Sequence, residues 1–462
     1  MSSTSAFRSI AGKTFSVITL GCRVNHYESE AIASMLEGCG AVFIRNETRP
    51  ARAPDIVAVL TCSVTSAADN KTRKTLRRVR RENPSSLIIA LGCWAQAASP
   101  DDARSLGADI LIGSRTKGFI LESVDEWFES KGAFLERRAG VLGNRSWDGL
   151  SLDRPRLHTR AFIKIQDGCD RVCGYCVVPS LRGGQVSRDP EDVCLEIRRV
   201  VSNGCAEAVL TGVHLGGYRH GGTSLTGLVR KISSIEGLRR LRFGSLEPFA
   251  VTEDLLTALA ESDIFCRHLH LPLQSGDDSI LASMRRGYAS SDFARITDLA
   301  REILDPDVHI STDLIVGFPG EGDAEFRRSL SALGSLGIGR AHIFPYSARR
   351  GTEAASMAGA VERAVVRERV AEAVELSRSL LSAYARRRLN RADSILVEAS
   401  GGGLSSGWSE RYLKVYVAET QSTKNDGFGN VREVCPEREL GGILLCGGVD
   451  ERMIPVRPDD QI

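Results

Sequence analysis

The sequence predicts an α/β protein in three parts: an open parallel α/β domain over residues 12–136, a partial (βα)6 barrel over 155–388, and a small β-barrel over 389–457. Three observations carry this reading. Short apolar runs alternate with stretches of helical period near the N-terminus, strand and helix then repeat six times, and short strands separated by glycine-rich turns follow a long helix.

In the first part, TFSVITL, DIVAVL, LIIAL and DILI read as strands, and residues 26–38 and 65–81 read as helices. The first three strands lead into cysteines: Cys22 in TLGC, Cys62 in VLTC and Cys93 in ALGC. Ligands of open parallel sheets bind at the carboxyl ends of the strands, so three cysteines distant in sequence are expected to meet at one edge. A single cysteine there would be ordinary core filling. Three at the same edge point to a metal cluster.

A polar stretch rich in Gly and Arg, residues 137–160, reads as a linker. Beyond it, the strands AFIKIQ, EAVLT, RLRFGS, CRHLHL, VHISTDLIVG and RAHIF alternate with helices at 190–202, 224–235, 252–262, 277–286, 292–304 and 322–336. Active sites of such barrels lie on the loops after the strands. After the first strand comes IKIQDGCDRVCGYCVVPSLRG, which places Cys169, Cys173 and Cys176 at that position. Thiolates ligate iron–sulfur clusters, and three local cysteines leave one iron of a four-iron cube open to bind a substrate. Incidental cysteines or part of a zinc site are the alternatives. Residues 361–389 read as a helix, and SILVEAS, YLKVYVAE and GGILLCGG as strands of the final barrel.

Composition agrees with a reduced, cytoplasmic protein. Twelve cysteines in 462 residues fit metal-bound and free thiols better than a disulfide framework, and no stretch has signal-peptide or membrane-spanning character. Cys39, Cys194, Cys205, Cys266, Cys435 and Cys446 show no pattern and are assigned to packing. Sixty basic and fifty-eight acidic residues give a formal charge of +2, which leaves the question of a nucleic-acid partner to local charge.

The motifs TLGCRVNHYESEA, LTCSVT, LGCWAQ, the three-cysteine run, TGVHLGGY, HLHLPLQSG, TDLIVGFPGE and FPYSARRGT together resemble the methylthiotransferases of the radical S-adenosylmethionine (SAM) superfamily, over essentially the whole chain. The resemblance implies an N-terminal cluster domain, a radical SAM barrel and a TRAM-like C-terminal barrel. It also implies SAM and two [4Fe–4S] clusters: one on Cys169, Cys173 and Cys176 that binds and cleaves SAM, and one on Cys22, Cys62 and Cys93 that carries the sulfur to be inserted. A second SAM would supply the methyl group, and a flavodoxin or ferredoxin the electron.

Further SAM-binding candidates sit at the strand ends. Tyr175 is expected against the adenine, and Arg182, Gly183, Ser187 and Arg188 follow the run, where glycine permits close approach and arginine can pair with the SAM carboxylate. Thr211, Gly212, His214 and Gly216 close the second strand; Glu247, Gln274, Ser275 and the 316–321 loop with Gly317 complete the ring. No residue presents itself as a general base.

The helix containing KTRKTLRRVRR offers a phosphate-contact surface of Lys71, Arg73, Lys74, Arg77, Arg78, Arg80 and Arg81, which is also what a solvated helix face would look like. Arg386, Arg387, Arg388 and Arg391 could add to it. The form GCRVNHYESE resembles the branch that modifies threonylcarbamoyladenosine at tRNA position 37, whereas the isopentenyladenosine branch more often carries Gln-Met-Asn there. The expected reaction is conversion of adenine C2–H to C2–SCH3 on a base splayed from the anticodon loop. The alternatives are action on isopentenyladenosine or on a ribosomal-protein aspartate and, from another class, a non-enzymatic iron–sulfur sensor that binds RNA.

Overall fold

The computed structural model describes residues 7–45, 53–130, 132–419 and 429–454. The N-terminal part is a six-stranded sheet in the order β2-β1-β3-β4-β5-β6, parallel throughout: β1 (Thr14–Thr19), β2 (Val42–Phe43), β3 (Ile56–Thr61), β4 (Leu87–Gly92), β5 (Ile110–Ile112) and β6 (Leu135–Arg137). Every residue of β3 and β4 is buried, as strands covered on both faces require. The edge strands β2 and β6 are only two and three residues long, too short for a pattern to be legible in the sequence.

Helix α1 (Arg23–Gly38) covers one face and α2 (Ser66–Glu82) the other, with the short helices α3 (Cys93–Ala97) and α4 (Pro100–Ser105) and then α5 (Ile120–Glu129). In α2, Thr72, Thr75, Leu76 and Val79 form the buried stripe, and the Thr65 hydroxyl caps the helix by accepting from the Ala68 amide at 3.1 Å.

The central part carries six parallel strands, which agrees with the expected partial barrel. β7 (Ala161–Lys164), β10 (Glu207–Thr211) and β13 (Arg240–Phe243) form one half, and β14 (His268–His270), β15 (His309–Val316) and β16 (Arg340–Pro345) the other. Parallel bridges Leu241 to Phe265 and Ser245 to His270 join the halves. Two-residue ladders β8 (Gln166–Asp167) with β9 (Val186–Ser187), and β11 (Arg219–His220) with β12 (Thr223–Ser224), decorate the loops. The intervening helices are α6 (Val178–Arg182), α7 (Pro190–Ser202), α8 (Leu225–Ser233), α9 (Glu253–Ala260), α10 (Asp278–Ser283), α11 (Ser290–Ile303) and α12 (Asp323–Ser335). Two of them, α10 and α11, lie between β14 and β15. Helix α1 packs along β7 and covers the open side of the barrel, so the first domain supplies part of the wall.

Helix α13 (Arg363–Arg386) joins β16 to the last part. The Ser377 hydroxyl accepts from the Ala341 amide at 3.0 Å and donates to the Ala341 carbonyl at 2.7 Å. The last part is one curved sheet in the order β20-β17-β18-β19-β22-β21: β17 (Asp393–Gly401), β18 (Leu404–Ser409), β19 (Lys414–Ala418), β20 (Val431–Val434), β21 (Arg438–Leu440) and β22 (Ile443–Cys446). Its core packs on Leu381, Tyr384 and Ala385 of α13. Among the described residues no ladder joins β20 to β21, so the expected barrel is a curved sheet there; the boundary at 457 lies outside the described residues. Cys39, Cys194, Cys205, Cys266 and Cys446 are buried as assigned, but Cys435 is exposed, because it lies just beyond the end of the edge strand β20, outside the packed sheet. No described helix is long and apolar enough to cross a membrane.

Candidate functional site

The first cysteine trio is assembled by three turns. Gly21 has φ +102°, and a Cβ there would stand 2.7 Å from Cys62 Cβ, so only glycine lets the turn before Cys22 pass the one carrying Cys62. Asn25 of α1 then locks the two turns together, its amide donating to the Leu20 carbonyl at 2.6 Å and the Thr61 carbonyl at 3.0 Å. Cys93 opens α3 directly after Gly92, which has φ +97° and lies against the Thr61 carbonyl. Burial pushes the Cys62 thiol up to about 11 and also raises Cys93.

The second trio is local. The Cys169 amide donates to the Gly183 carbonyl at 3.0 Å, Cys176 to the Cys173 carbonyl at 3.0 Å, and Gly174 to the Met284 carbonyl at 3.0 Å, which folds the loop over the barrel mouth. Burial pushes Cys169 up to about 12 and Cys176 to about 11. Tyr175 packs with Ile280, Met284, Ile315 and Phe318. Its hydroxyl lies 3.3 Å from Arg286 Nη1, which also donates to Cys173 Sγ at 3.4 Å. Arg286 was not among the sequence candidates: it is far from the run in sequence, and no spacing marks it.

Arg182 is the main correction. Expected near the SAM carboxylate, it instead reaches into the first trio, where Nε donates to Cys93 Sγ at 3.2 Å. Nη1 donates to Glu28 Oε1 at 2.9 Å and Asp167 Oδ1 at 3.1 Å, and Nη2 to Asn25 Oδ1 at 2.8 Å and Glu28 Oε2 at 3.3 Å, which occupies the whole guanidinium. Around it lies a fully buried charge network of Glu28, Asp148 and Asp167 with Lys117, Lys164 and Arg182. Against the upward push of burial, Arg182, Lys117 and Lys164 hold the Glu28 carboxyl down to about 2. This network draws on the first domain, the linker and the barrel, and it fixes one against the next.

Other candidates also make contacts within the chain. Arg188 pairs with Glu196 at 2.5 Å beneath Tyr27, Ser187 accepts from the Arg219 amide at 3.1 Å, and Ser275 is buried against Ser329 at 3.2 Å. Ser187 and Arg188 follow the run in sequence, and the pairing of β8 with β9 sets where they point. Gly183, at φ +77°, offers its carbonyl to Cys169. Gly317, at φ +80°, donates to Glu321 Oε2 at 2.6 Å, and a Cβ there would meet Val366 at 2.5 Å. Gln274 has φ +69° and bridges Leu314 of β15 through its backbone.

At the end of β10, Thr211 is followed by Gly212, where a Cβ would stand 2.9 Å from Gln166 Oε1. That same oxygen accepts from the His214 amide at 2.7 Å, so Gln166, a residue the sequence did not flag, ties the cysteine loop to the second strand end. His214 Nε2 is buried without a hydrogen-bond partner and lies 3.9 Å from Glu247 Oε2; burial raises the Glu247 carboxyl. Gly216 donates to that carboxylate at 3.4 Å. Thr211, Gly212, His214, Gly216 and Glu247 therefore form one polar cluster beside Cys169.

The basic helix divides into two sets. Arg73 pairs with Asp69 at 2.9 Å and Asp102 at 2.7 Å, and Arg80 pairs with Asp109 at 2.5 Å, so both serve the fold. Lys71, Lys74, Arg77, Arg78 and Arg81 are exposed. Lys71, Lys74 and Arg78 line a groove of about 430 Å³, and Arg77 and Arg81 with Arg104 a second of about 620 Å³. Of the later arginines, Arg386 pairs with Glu439, Arg388 and Arg391 pair with Asp307, and Arg387 covers the Tyr384 ring; they hold the last sheet in place.

Among the described residues, the set of possible ligand atoms gathered within 4.8 Å is Glu28, Asp148 and Asp167, and their charge is taken by the two lysines and Arg182. Neither cysteine trio is drawn that close, although one tetrahedral zinc ion would need sulfurs roughly 3.8 Å apart. Three soft thiolates at a wider spacing fit a polynuclear iron–sulfur cluster.

Comparison with known proteins agrees. Residues 163–333 match the Radical SAM superfamily model, and residues 14–113 match that of the uncharacterized protein family UPF0004. The chain is 35% identical over 449 residues to the threonylcarbamoyladenosine tRNA methylthiotransferase MtaB of Thermotoga maritima, covering 96% of this chain and 100% of that one. It is 34% identical over 460 residues to the tRNA-2-methylthio-N(6)-dimethylallyladenosine synthase of Thermobifida fusca, covering 97% and 86%. Its fold is that of the radical SAM methyltransferase TsrM of Kitasatospora setae, with a TM-score of 0.55 at 14% identity over 86% of this chain and 80% of that one. The chain thus belongs to the radical SAM tRNA methylthiotransferases, transferases that use SAM and [4Fe–4S] clusters.

Proposed function

We propose that this chain methylthiolates C2 of N6-threonylcarbamoyladenosine at position 37 of tRNA. The observation that carries the reading is the meeting of two cysteine trios at the strand ends of adjoining α/β units, with Arg182 running from the loop of one to a sulfur of the other. When bound, SAM and the two clusters supply a radical able to take hydrogen from an unactivated carbon and the sulfur that replaces it. Cys169, Cys173 and Cys176 would hold the SAM-side cluster, and Cys22, Cys62 and Cys93 the sulfur-side cluster.

Around them the chain's own residues position and exclude. Gln166 and Gly183 fix the cysteine loop, Arg286 and Arg182 each direct an N–H at a ligand sulfur, and Tyr175 closes the mouth with an apolar cluster that keeps water from the radical. The His214 and Glu247 cluster supplies polar contacts for SAM beside Cys169. Lys71, Lys74, Arg77, Arg78 and Arg81 hold tRNA phosphates while the anticodon-loop base is splayed into the mouth. A reduced flavodoxin or ferredoxin supplies the electron, and the reaction runs in the cytoplasm.

A second reading, action on dimethylallyladenosine, is kept open by the 34% identity to that synthase, against 35% to MtaB. Mass spectrometry of tRNA nucleosides from a deletion strain separates the two. Loss of 2-methylthio-threonylcarbamoyladenosine is expected; an unchanged level of it sinks the proposal, and loss of the dimethylallyl product instead establishes the second reading. A non-enzymatic sensor would form no 5′-deoxyadenosine on anaerobic reduction with SAM.

A further inference from the structure

The barrel lumen holds more positive charge than its carboxylates neutralise. Its floor is Tyr412, which enters from the turn between β18 and β19 at φ +58° and stacks on His268 at 4.9 Å with the rings 16° apart. Three arginines surround that ring: Arg242 at 5.2 Å, and Arg160 and Arg23 each at 5.8 Å from its centre. Two of them have carboxylate partners: Glu207 accepts from Arg242 at 2.9 Å and lies 3.5 Å from Arg160, which also pairs with Glu398, while Glu207 is shared with Arg240 at 2.8 Å. Arg23 has no such partner: among the described residues its side chain makes no hydrogen bond or ion pair, although it is half-buried. Asp313, the nearby lumen carboxylate, contacts His270 at 3.2 Å and makes no ion pair with Arg23, although the Arg23 charge helps to hold it below the ordinary carboxylate range.

Arg340 adds to the excess. It lies on the same face of β16 as His342, is buried, and makes no ion pair among the described residues. Burial pulls its guanidinium below the ordinary range. Two guanidinium groups without an ion pair in a narrow lumen leave room for the charge of an entering anion. Arg23 is also the residue next to Cys22, so the helix that starts at the sulfur-side trio sends its first side chain to the Tyr412 ring.

The two candidate substrates differ in the one property this lumen reads. The threonylcarbamoyl group carries a carboxylate; the dimethylallyl group carries no charge. We propose that Arg23 is a specificity-determining residue that binds the carboxylate of the threonylcarbamoyl group, with Arg340 deeper in the lumen reinforcing the field. This rests on the methylthiotransferase reading given above.

The test compares tRNA bearing threonylcarbamoyladenosine, the same tRNA with that carboxylate methyl-esterified, and tRNA bearing dimethylallyladenosine. Binding is measured by the cluster-free chain and methylthiolation by the reconstituted enzyme. Wild type is expected to bind the free acid roughly 10- to 100-fold more tightly than its ester, as a charge-assisted pair implies. Arg23→Gln should abolish that difference and raise KM for the free acid far more than it lowers kcat, and Arg23→Lys should restore part of it. A wild type indifferent to esterification, or an Arg23→Gln protein that still prefers the free acid, overturns the proposal. Should Arg23→Gln not fold, the ester comparison on wild type decides alone. Failure of the methylthiotransferase reading itself would show separately, as no methylthiolated nucleoside from any of the three tRNAs.

Discussion

The two cysteine trios are built in opposite ways. Cys169, Cys173 and Cys176 lie within one loop of eight residues, whose amides bond to its own Cys173 carbonyl and to those of Gly183 and Met284. Cys22, Cys62 and Cys93 come from three strand ends, held by Gly21, Gly92 and the bridging amide of Asn25. Each trio receives one arginine N–H on a sulfur, yet Arg286 sits among tyrosines at the rim while Arg182 lies in a fully buried charge network. A site written in a loop depends on few tertiary contacts. A site assembled from a sheet edge depends on all of them.

The sharpest way to separate the trios is to remove one cysteine from each. Cys173→Ala should abolish 5′-deoxyadenosine formation, whereas Cys93→Ala should retain it and lose only the methylthiolated nucleoside. Chromatography of both products checks this, and equal loss of both in the two variants would break the division of labour.

Next in size is the pair of arginines. Arg182→Ala removes one of the three cations that hold Glu28 and Asp167 in the interior and should cost roughly 3–5 kcal/mol of stability, while Arg286→Ala should cost about 1–2 kcal/mol. Urea denaturation of the two variants measures the contrast; equal losses would mean that the buried network is not the joint between the domains. Gly21→Ala follows, because its Cβ would meet Cys62 at 2.7 Å in a backbone conformation that alanine resists. Iron analysis and electron paramagnetic resonance should show the first cluster depleted and the second retained.

A smaller effect is expected from the surface beside the first trio. Lys74→Glu with Arg78→Glu should weaken tRNA binding by about tenfold and flatten its salt dependence. Filter binding across a salt series tests this, and an unchanged slope would assign that face to solvent. The smallest effect concerns the seam between α1 and the barrel, where His158 Nε2 meets His26 Nδ1 at 2.8 Å. Burial holds His158 down to about 3, below the ordinary value of 6.5, so the unfolded chain takes up the proton first as pH falls. Stability from this contact is complete above pH 6.5 and should fall by at most about 1.4 kcal/mol per pH unit on acidification towards 3, a dependence that His158→Phe should reduce.

Much of the site was legible because the chemistry follows the chain. Cysteines at the ends of apolar runs and a loop of fixed spacing declare themselves, and the strand pattern tells which edge they share. Arg286, Gln166 and the partners of Arg182 did not, since each acts through a hydrogen bond to a residue distant in sequence or through the aim of a short helix. The basic helix was readable as charge, but only the fold separated Arg73 and Arg80, spent on Asp69, Asp102 and Asp109, from the exposed set.

By itself the sequence determined the three-part organisation, the two cysteine trios and the strand ends on which they sit, because periodicity and ligand spacing are properties of neighbouring residues. The tertiary structure alone decided where the arginines go. Arg182 follows the run of Cys169, Cys173 and Cys176 in sequence yet reaches the other trio, and Arg23 follows Cys22 yet faces the lumen. A long charged side chain is directed by the nearest carboxylate, sulfur or ring it can reach, and those partners are chosen by packing between domains.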